Sequence, residues 1–322
     1  MANTENTLNY TTIPPLRDAI FEYTRSYDNW GSDYSVTGLL RPAREIMLVD
    51  RHKKEIDAQP FTHDKLLKSL KSFKGTAIHN HFEYMLRRFM GKNQKKGYII
   101  ERRIWDRING RKISGKFDAF LNGCLYDWKT TSVWKRIFGD WTDFEKQLNL
   151  YAYLLGICGI EVKMISIIAW YLDWDKMKVW NDPEYPRAEI EQIVYSDLWT
   201  AKDQKSYLFD RIDHMKRNEK LADDDLELCT DKDRWAKPTA YAVMRPGQAR
   251  AVASKGLTTK AKANAFIKDA KQEDKATFTV ECRPGLNTKC LDYCNAAPFC
   301  NQHQAWLAEN QAAVDAHIKA TG

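Results

Sequence analysis

Two strands and the turn between them are encoded by KISGKFDAFLNGCLYDWKTT, residues 112–131. Apolar or aromatic residues alternate with polar ones on both sides of Asn122-Gly123, and this dipeptide is a strong signal for a two-residue hairpin turn. A second such pair, Asn109-Gly110, joins the stretch to another alternating segment at 98–108. The sequence therefore predicts a three-stranded antiparallel meander.

The two turns imply a strand register that places three carboxylates in one row. With a two-residue loop at the second turn, Asp118 lies directly opposite Asp127, and a two-residue loop at the first turn places Glu101 opposite Asp118. Directly opposed side chains have Cβ atoms about 4.5–5.5 Å apart, where like charges destabilise a sheet. Such a row needs a bound cation or a raised pKa, and Mg²⁺ or Mn²⁺ prefers ligands of this kind.

The same register places Lys116 and Lys129 on the face of the carboxylates. The opposite face is expected to be core, with Phe117, Ala119, Tyr126 and Trp128. Two interpretations of the charged face stay open at this point. It is either a solvated surface on which lysines neutralise aspartates, or a metal site. We favour the metal site, since solvated faces usually spread their charges.

Four short motifs over residues 75–155 resemble the PD-(D/E)xK nuclease superfamily, in particular its RecB-like exonuclease branch. Asp118, followed nine residues later by Asp127-Trp-Lys129, is similar to the catalytic signature. The segment Gly75-Thr-Ala-Ile-His79 resembles the G-x-x-x-H helix of that branch. The segment Gln147-Leu-Asn-Leu-Tyr151 resembles its Q-x-x-x-Y helix, and its two end residues share one helix face.

The resemblance implies a mixed α/β fold with a restriction-endonuclease-like core, in which a central mixed sheet is flanked by helices. It also implies hydrolysis of DNA phosphodiester bonds with Mg²⁺ or Mn²⁺. The implied catalytic residues are Asp118, Asp127 and Lys129, of which Lys129 would orient or activate the attacking water.

The resemblance further implies which residues surround the catalytic set. His79 and the backbone carbonyl of Trp128 would complete the metal shell formed by the two aspartates. Gln147 and Tyr151 would position the DNA strand. Glu101 is a secondary candidate, either as a metal ligand or as a lysine partner.

Periodicity and composition divide the chain into three regions. We predict an N-terminal helical region at 1–74, a nuclease core at 75–222 and a small C-terminal module at 223–322, which begins where composition shifts at three consecutive aspartates. Predicted helices cover 16–27, 44–57, 63–88 with an interruption near Lys74-Gly75, 141–158 with Thr142 or Asp143 as N-cap, most of 187–218, and 259–270. Further predicted strands cover 162–170, 240–253 and 276–282.

The C-terminal module contains Cys290-x3-Cys294-x5-Cys300. Three thiolates complete neither a zinc site nor a cubane cluster, so a fourth ligand is needed. Cys229 and Cys282 are the thiol candidates, and His303 can replace them in the zinc case.

Some RecB-like nucleases carry a [4Fe–4S] cluster held by one distant cysteine and three clustered ones. This chain departs from that arrangement, because the usual distant cysteine precedes the core and no cysteine precedes Cys124 here. The segment 229–235 and the spacing of the three cysteines resemble nucleases of phage origin. We therefore favour Cys229 and a [4Fe–4S] cluster, with Zn²⁺ or no metal as alternatives.

Bulk composition agrees with a globular, DNA-binding protein. The 322 residues are 43% hydrophobic and 29% charged, and the net charge of +7 fits a polyanionic partner without requiring one. Residues 1–15 lack a signal-peptide pattern, and the longest apolar run, 164–172, is too short to span a bilayer. We expect a cytoplasmic protein (host cytoplasm if phage-encoded) with reduced thiols and no membrane partner.

The favoured function is a DNA exonuclease of recombination, repair or phage DNA processing, with a helicase, recombinase or single-strand-binding protein as partner. A structure- or sequence-specific endonuclease is the alternative within the superfamily. A non-catalytic nucleic-acid-binding protein is the alternative of another class, with a phosphate-binding path formed by Lys92, Lys95, Lys96, Arg102 and Arg103. The Q-x-x-x-Y helix favours the exonuclease, and the intact Asp–Asp–Lys set argues against binding alone.

Overall fold

The computed structural model describes residues 30–59, 63–92, 97–195, 198–248, 250–269 and 278–321. The chain divides into two compact units. The first comprises Met1–Ala43 and Gln59–Lys220, and the second comprises Arg44–Ala58 and Leu221–Gly322. The predicted helix at 16–27 lies outside the described residues. A segment predicted as part of an N-terminal region, 44–58, thus belongs to the same unit as the three clustered cysteines, Cys290, Cys294 and Cys300.

In chain order, the helices are α1 (Val36–Leu39), α2 (Ala43–Arg51), α3 (Lys53–Ala58), α4 (His63–Lys92), α5 (Val133–Phe138), α6 (Thr142–Ile157), α7 (Lys176–Asn181), α8 (Ala201–Glu219), α9 (Lys260–Asp269), α10 (Thr288–Asp292) and α11 (Asn301–Thr321). A short 3-10 turn lies at Ala297–Phe299. Among the described residues, no helix is both long enough and apolar enough to cross a membrane.

The first unit is a mixed α/β fold with a central mixed sheet flanked by helices. Its described strands are β1 (Tyr34–Ser35), β2 (Tyr98–Ile108), β3 (Arg111–Leu121), β4 (Cys124–Thr131), β5 (Met164–Tyr171) and β6 (Ile190–Tyr195). Strands β2, β3 and β4 form an antiparallel meander, β4 and β5 are parallel, and β6 is antiparallel to β5. Helix α6 packs against β2–β5, and α4 contacts β2 and β4. The predicted fold class is confirmed.

Both predicted turns are present. Each Asn and Gly of 109–110 and 122–123 has a positive φ between 50° and 87°, which is the backbone of a type I′ hairpin turn. On both hairpins the pairing follows the predicted register, with Leu121 opposite Cys124 and Arg102 opposite Phe117. The local turn chemistry therefore determined how the three strands align.

The regular pairing stops at the predicted carboxylate row. The β3–β4 ladder ends at Ala119 and Tyr126, one position before Asp118 and Asp127. On β2, Glu101 has φ 48° and is skipped by the ladder between its two neighbours. A non-glycine residue with a φ in this left-handed range is strained, and it keeps that backbone only where its surroundings hold it there. The sheet is thus irregular where the acidic residues lie.

Two secondary-structure predictions in the first unit are wrong. Helix α4 runs without a break through Gly75. The lack of a side chain there lets the helix lie close to Thr130, since an added Cβ would be 3.0 Å from Thr130 Oγ1. Residues 190–195 were predicted to be helical but form β6, in which exposed and half-buried residues alternate as in an edge strand. Helix α6 begins at the predicted position, but Asp140 rather than Thr142 or Asp143 accepts the first free N–H, at 2.8 Å.

The second unit combines α2 and α3 with the C-terminal elements. Strand β8 (Ala240–Met244) pairs with β9 (Thr279–Arg283), and β7 (Ala236–Lys237) pairs with β10 (Leu286–Asn287), both antiparallel. The predicted strands and the predicted helix of this region are therefore present, in shorter form. Arg44 is almost fully buried and donates hydrogen bonds to the carbonyls of Leu226 and Glu227 and to Asn301 Oδ1.

Candidate functional site

Three residues of the first unit form a candidate metal centre. One ligand atom each from His79, Glu101 and Asp118 lies within 4.8 Å of the other two. One imidazole nitrogen and two carboxylate oxygens are ligand atoms that could together hold a metal ion. The three residues line a cleft of ≈ 380 Å³ together with Lys116, Asn80 and Thr76. Glu101, the secondary candidate from the sequence, is thus part of the group.

The irregular end of the β3–β4 ladder orients Asp118. Its Oδ2 accepts the backbone N–H of Trp128 at 2.6 Å and lies 3.5 Å from His79 Nδ1. The carboxylate therefore takes the place of a strand partner for a backbone donor that would otherwise be unpaired. Trp128 contributes its N–H here, and the metal-ligand role of its carbonyl stays a prediction.

The second predicted aspartate makes a different set of contacts. Asp127 is 3% exposed, its Oδ2 lies 2.6 Å from Lys129 Nζ, and its Oδ1 accepts from Gln147 Nε2 at 3.4 Å. Gln147 also donates to the hydroxyl of Tyr151 at 3.2 Å, so one side chain of α6 contacts both Tyr151 and Asp127 of β4. The ammonium of Lys129 lies 4.9 Å from the ring centroid of Phe144, which packs beside it.

Each of the two lysines forms an ion pair with a different carboxylate. Lys116 Nζ lies 2.5 Å from Glu101 Oε2, whereas Lys129 pairs with Asp127. The side chains predicted for the opposite face differ in burial. Phe117 and Ala119 are fully buried, but Tyr126 and Trp128 are only half-buried and stack on each other, with Phe82 of α4 against Trp128 at 5.5 Å.

Burial shifts the pKa values of the acidic group. It raises the pKa of Asp127 to about 6, and the nearby charge of Asp118 acts in the same direction. The pKa of Glu101 is also raised, mainly by burial. Burial alone lowers the pKa of His79, but the hydrogen bond to Asp118 and the charges of both aspartates outweigh it and raise that pKa. Clustered negative charge of this kind is relieved by a bound cation.

Gly115 allows Tyr151 to approach the sheet. A Cβ at this position would lie 2.6 Å from Tyr151 Cε1, which is closer than packed carbon atoms allow. We expect Gly115→Ala to lower the free energy of unfolding by about 1–3 kcal/mol through overpacking, as measured by urea denaturation. Gly156→Ala, in α6 with no atom near the new Cβ, is the matched control and should be neutral or stabilising by up to about 1 kcal/mol. Equal effects of the two substitutions would contradict the contact with Tyr151.

A second candidate centre lies in the second unit. Cys229, Cys290, Cys294 and Cys300 all line one small cavity, and His303 lines it as well. Cys282 is exposed on β9, opposite Tyr241. Burial, assisted by negative charge on neighbouring residues, raises the pKa of Cys229 to about 12 and the pKa values of Cys290 and Cys294 to about 11. These thiols would be neutral at neutral pH without a metal.

Zinc and a cubane cluster require different spacings of their thiol ligands. A single Zn²⁺ with Zn–S distances of about 2.3 Å holds its sulfur atoms about 3.8 Å apart. A cubane cluster lies between its thiolates and holds them farther apart. Four thiols that line one cavity can serve either kind of centre, since both need four ligands.

The charged residues of this cavity were not predicted from the sequence. Arg44 and the ion pair of Glu45 with Lys289, 2.8 Å, lie beside the cysteines, and Arg234 also lines the cavity. Within the part of the chain that the structure describes, Arg44 donates its hydrogen bonds to neutral oxygens, so an anionic group in the cavity would stabilise this buried cation. No local pattern links Arg44 to cysteines so distant in the chain.

Two of the cations predicted to bind phosphate are described. Arg102 and Arg103 lie on β2, and Arg102 is exposed. Lys95 and Lys96, and the side chain of Lys92, lie outside the described residues.

Comparison with known proteins yields only remote similarities. No protein-family model matches the sequence, and no curated protein matches it. Among solved structures, the chain is similar to SSO0001 over 62% of its own length and 84% of that chain, with 15% identity and a TM-score of 0.41. It is also similar to a protein named putative exonuclease from Eubacterium rectale over 55% of its own length and 66% of that chain, with 17% identity and a TM-score of 0.29. At these TM-scores neither similarity bears on function.

Proposed function

We propose that this protein is a metal-dependent deoxyribonuclease whose active site lies in the cleft beside Asp118. One observation carries the proposal. A histidine of α4 and one carboxylate each from β2 and β3 converge within 4.8 Å at the edge of a cleft, and the adjoining strand β4 holds the Asp127–Lys129 pair. A solvated sheet face would leave these groups apart and exposed, whereas Asp118 is 8% exposed.

The residues divide the work of phosphodiester hydrolysis. His79, Glu101 and Asp118 would hold a divalent cation, which supplies charge neutralisation at the phosphate and lowers the pKa of a water molecule. Lys129, with its ammonium held by Asp127, would orient the attacking water and stabilise negative charge on the phosphate oxygens. Gln147 and Tyr151 would hold the strand in register with these groups.

Within this class we favour an exonuclease, because the contact of Gln147 with Asp127 joins the Q-x-x-x-Y helix to the catalytic strand. The test is a time course on end-labelled linear DNA and on closed circular DNA, with Mg²⁺, with Mn²⁺ and with a chelator. We expect degradation of the linear substrate only, and only with metal. Cleavage of the circle would make the enzyme an endonuclease, and no metal-dependent cleavage of either would reject the proposed activity.

Metal binding should depend on pH because Asp127, which lies outside the three-ligand group, adds negative charge near the cation only when it is ionised. The folded-state pKa of Asp127, about 6, exceeds its ordinary value of 3.8. The metal-free folded protein therefore binds an extra proton between these values and loses stability as the pH rises through about 6. Bound cation should offset that loss. We expect the increase in Tm on adding Mg²⁺ to be larger at about pH 7.5 than at about pH 5.

Differential scanning fluorimetry with and without Mg²⁺ checks this expectation. The raised pKa of His79 acts in the same direction, because its proton also competes with metal. Asp127→Asn removes the titrating carboxyl and should flatten the stability of the metal-free protein across this pH range. An increase in Tm that does not change with pH would show that the buried carboxyl is not linked to the metal.

We also propose that the cysteine cavity of the second unit holds a [4Fe–4S] cluster ligated by Cys229, Cys290, Cys294 and Cys300. Support comes from the four thiols that line one cavity and from the buried cation of Arg44, which would balance the negative charge of a thiolate cluster. The cluster would tie α10, the turn before α11 and the segment at Cys229 together. A structural role of this kind suits a small unit with a limited core.

A further inference from the structure

We propose that one face of the β2–β3 hairpin binds single-stranded DNA and leads it to the active-site cleft. This face, called the hairpin track below, is formed by five residues: Arg103, Trp105, Arg107, Lys112 and Lys116. The inference rests on the proposed function for the destination of the strand. The binding itself can be tested without any cleavage.

The strand register places the track residues side by side. Arg103 lies directly opposite Lys116, and Arg107 lies directly opposite Lys112. Trp105 lies between these two pairs, opposite Ser114. Residues two apart on a strand share a face, so the two cationic pairs and the indole lie on one face of the hairpin.

Like charges directly opposite each other destabilise a sheet, and this face contains two such pairs. Lys116 is balanced by Glu101, at 2.5 Å. In the described part of the chain, Arg103, Arg107 and Lys112 have no carboxylate within ion-pair distance. The side chain of Arg103 donates to Ser114 Oγ and that of Lys112 to the carbonyl of Trp30, while the carboxylate of Asp33 accepts the backbone N–H of Lys112 at 2.6 Å. Charge left unbalanced in this way suits an anionic partner.

The track continues into the candidate active site. Asp118 lies two residues beyond Lys116 on β3, and both line the same cleft. At about 3.4 Å per residue, the six steps along the strand from Lys112 to Asp118 span about 20 Å. A polyanion bound along the cations would therefore end at the carboxylates and at the cation they are proposed to hold.

Exposed indole rings indicate single-stranded rather than double-stranded DNA. Trp105 is 58% exposed, and the ammonium of Lys112 lies over its ring, 4.9 Å from the centroid. Trp30 is 65% exposed, and its ring centroid lies 5.9 Å from the guanidinium carbon of Arg103. Aromatic rings interleaved with cations form a common platform for unpaired bases, whose faces are free to stack. In a duplex the base faces are covered by their neighbours. The other occupant of such a face, a protein, would not need cations spaced along a strand.

The test is fluorescence anisotropy with a labelled oligothymidine and a labelled duplex of equal length, over a series of salt concentrations. Asp118→Asn protein with a chelator present prevents cleavage. We expect Arg107→Ala/Lys112→Ala to weaken single-strand binding at least about tenfold. The slope of log K against log salt should become shallower by about 1.4, since each phosphate contact to a single strand contributes about 0.7.

Two further variants separate stacking from charge. Trp105→Ala should weaken oligothymidine binding about tenfold with little change in salt slope, and Trp105→Phe should recover most of the affinity. Lys163→Ala/Lys202→Ala is the matched control, because it removes two exposed lysines of the same unit away from the track and should leave binding unchanged.

Three outcomes would overturn the track. They are an unchanged salt slope in the Arg107/Lys112 variant, duplex binding that is tighter than single-strand binding and unaffected by Trp105→Ala, and no measurable binding of either probe. The last would leave the face to a protein partner. DNA cleavage by the wild type with an unchanged slope would keep the proposed nuclease and reject the track. Track-dependent binding without cleavage would do the reverse.

Discussion

Replacing Asp118 by asparagine should lower the turnover number for Mg²⁺-dependent DNA hydrolysis by about 10³-fold or more. Asparagine keeps a side-chain oxygen that can accept the N–H of Trp128, the contact that Asp118 makes at 2.6 Å. It removes the negative charge that would hold the cation between His79 and Glu101. The loss should therefore appear in activity and in metal affinity, with little change in Tm.

An aspartate just after strand β5 provides a matched control. Asp173 Oδ1 accepts the backbone N–H of Val133 at 2.7 Å, much as Asp118 accepts that of Trp128, but it is not among the three convergent ligand residues. Asp173→Asn should keep turnover within about twofold of the wild type. Turnover of purified Asp118→Asn at the level of this control would reject the assignment of Asp118. Lys129→Ala is a less clean test, because it leaves the buried Asp127 without its cation.

The second large effect is expected at the cysteine cavity. Cys300→Ser should reduce iron from about four atoms per chain to background, with parallel loss of acid-labile sulfide and of visible absorption, because a cubane needs all four thiolates. Since metal binding and folding are coupled in such a unit, the Tm of the second unit should also fall. Anaerobic purification followed by iron, zinc and sulfide analysis makes the measurement.

Cys158→Ser and Cys282→Ser are the controls, because both cysteines are exposed and neither lines the cavity. They should retain full iron content. One zinc per chain in the wild type would replace the cluster with a zinc site, and absence of both metals would reject a metal centre here. Iron lost in Cys282→Ser but kept in Cys229→Ser would exchange the fourth ligand for the alternative raised by the sequence.

Local chemistry explains why the meander could be predicted. Asn-Gly pairs tolerate the positive φ values of both turns, and such turns set the register of the strands they join. Strand β6 was assigned wrongly because a half-exposed edge strand has a weak apolar pattern, so its state is decided by pairing with β5. The break predicted at Gly75 is absent for a related reason. Because glycine has no side chain, the continuous helix can pack closely against Thr130.

The acidic residues of β2, β3 and β4 show how much of the candidate site can be predicted from the sequence. Register alone places Asp118, Asp127 and Glu101 in one row, and order along the chain adds His79, Gln147 and Tyr151 as candidates. Turn residues and strand periodicity determine this much because both act over a few neighbouring residues. The same reasoning assigned the three clustered cysteines to one site.

The tertiary structure determines which of these side chains contact one another. It brings Glu101 to His79 and Asp118, and it pairs Asp127 with Lys129 and Gln147. It also brings the buried Arg44 to the cavity lined by Cys229. These contacts join segments far apart in the chain, and they depend on burial and on the end of a strand ladder. Neither is set by nearest neighbours, so only the packed fold could specify which carboxylate faces the cleft and which is neutralised by lysine.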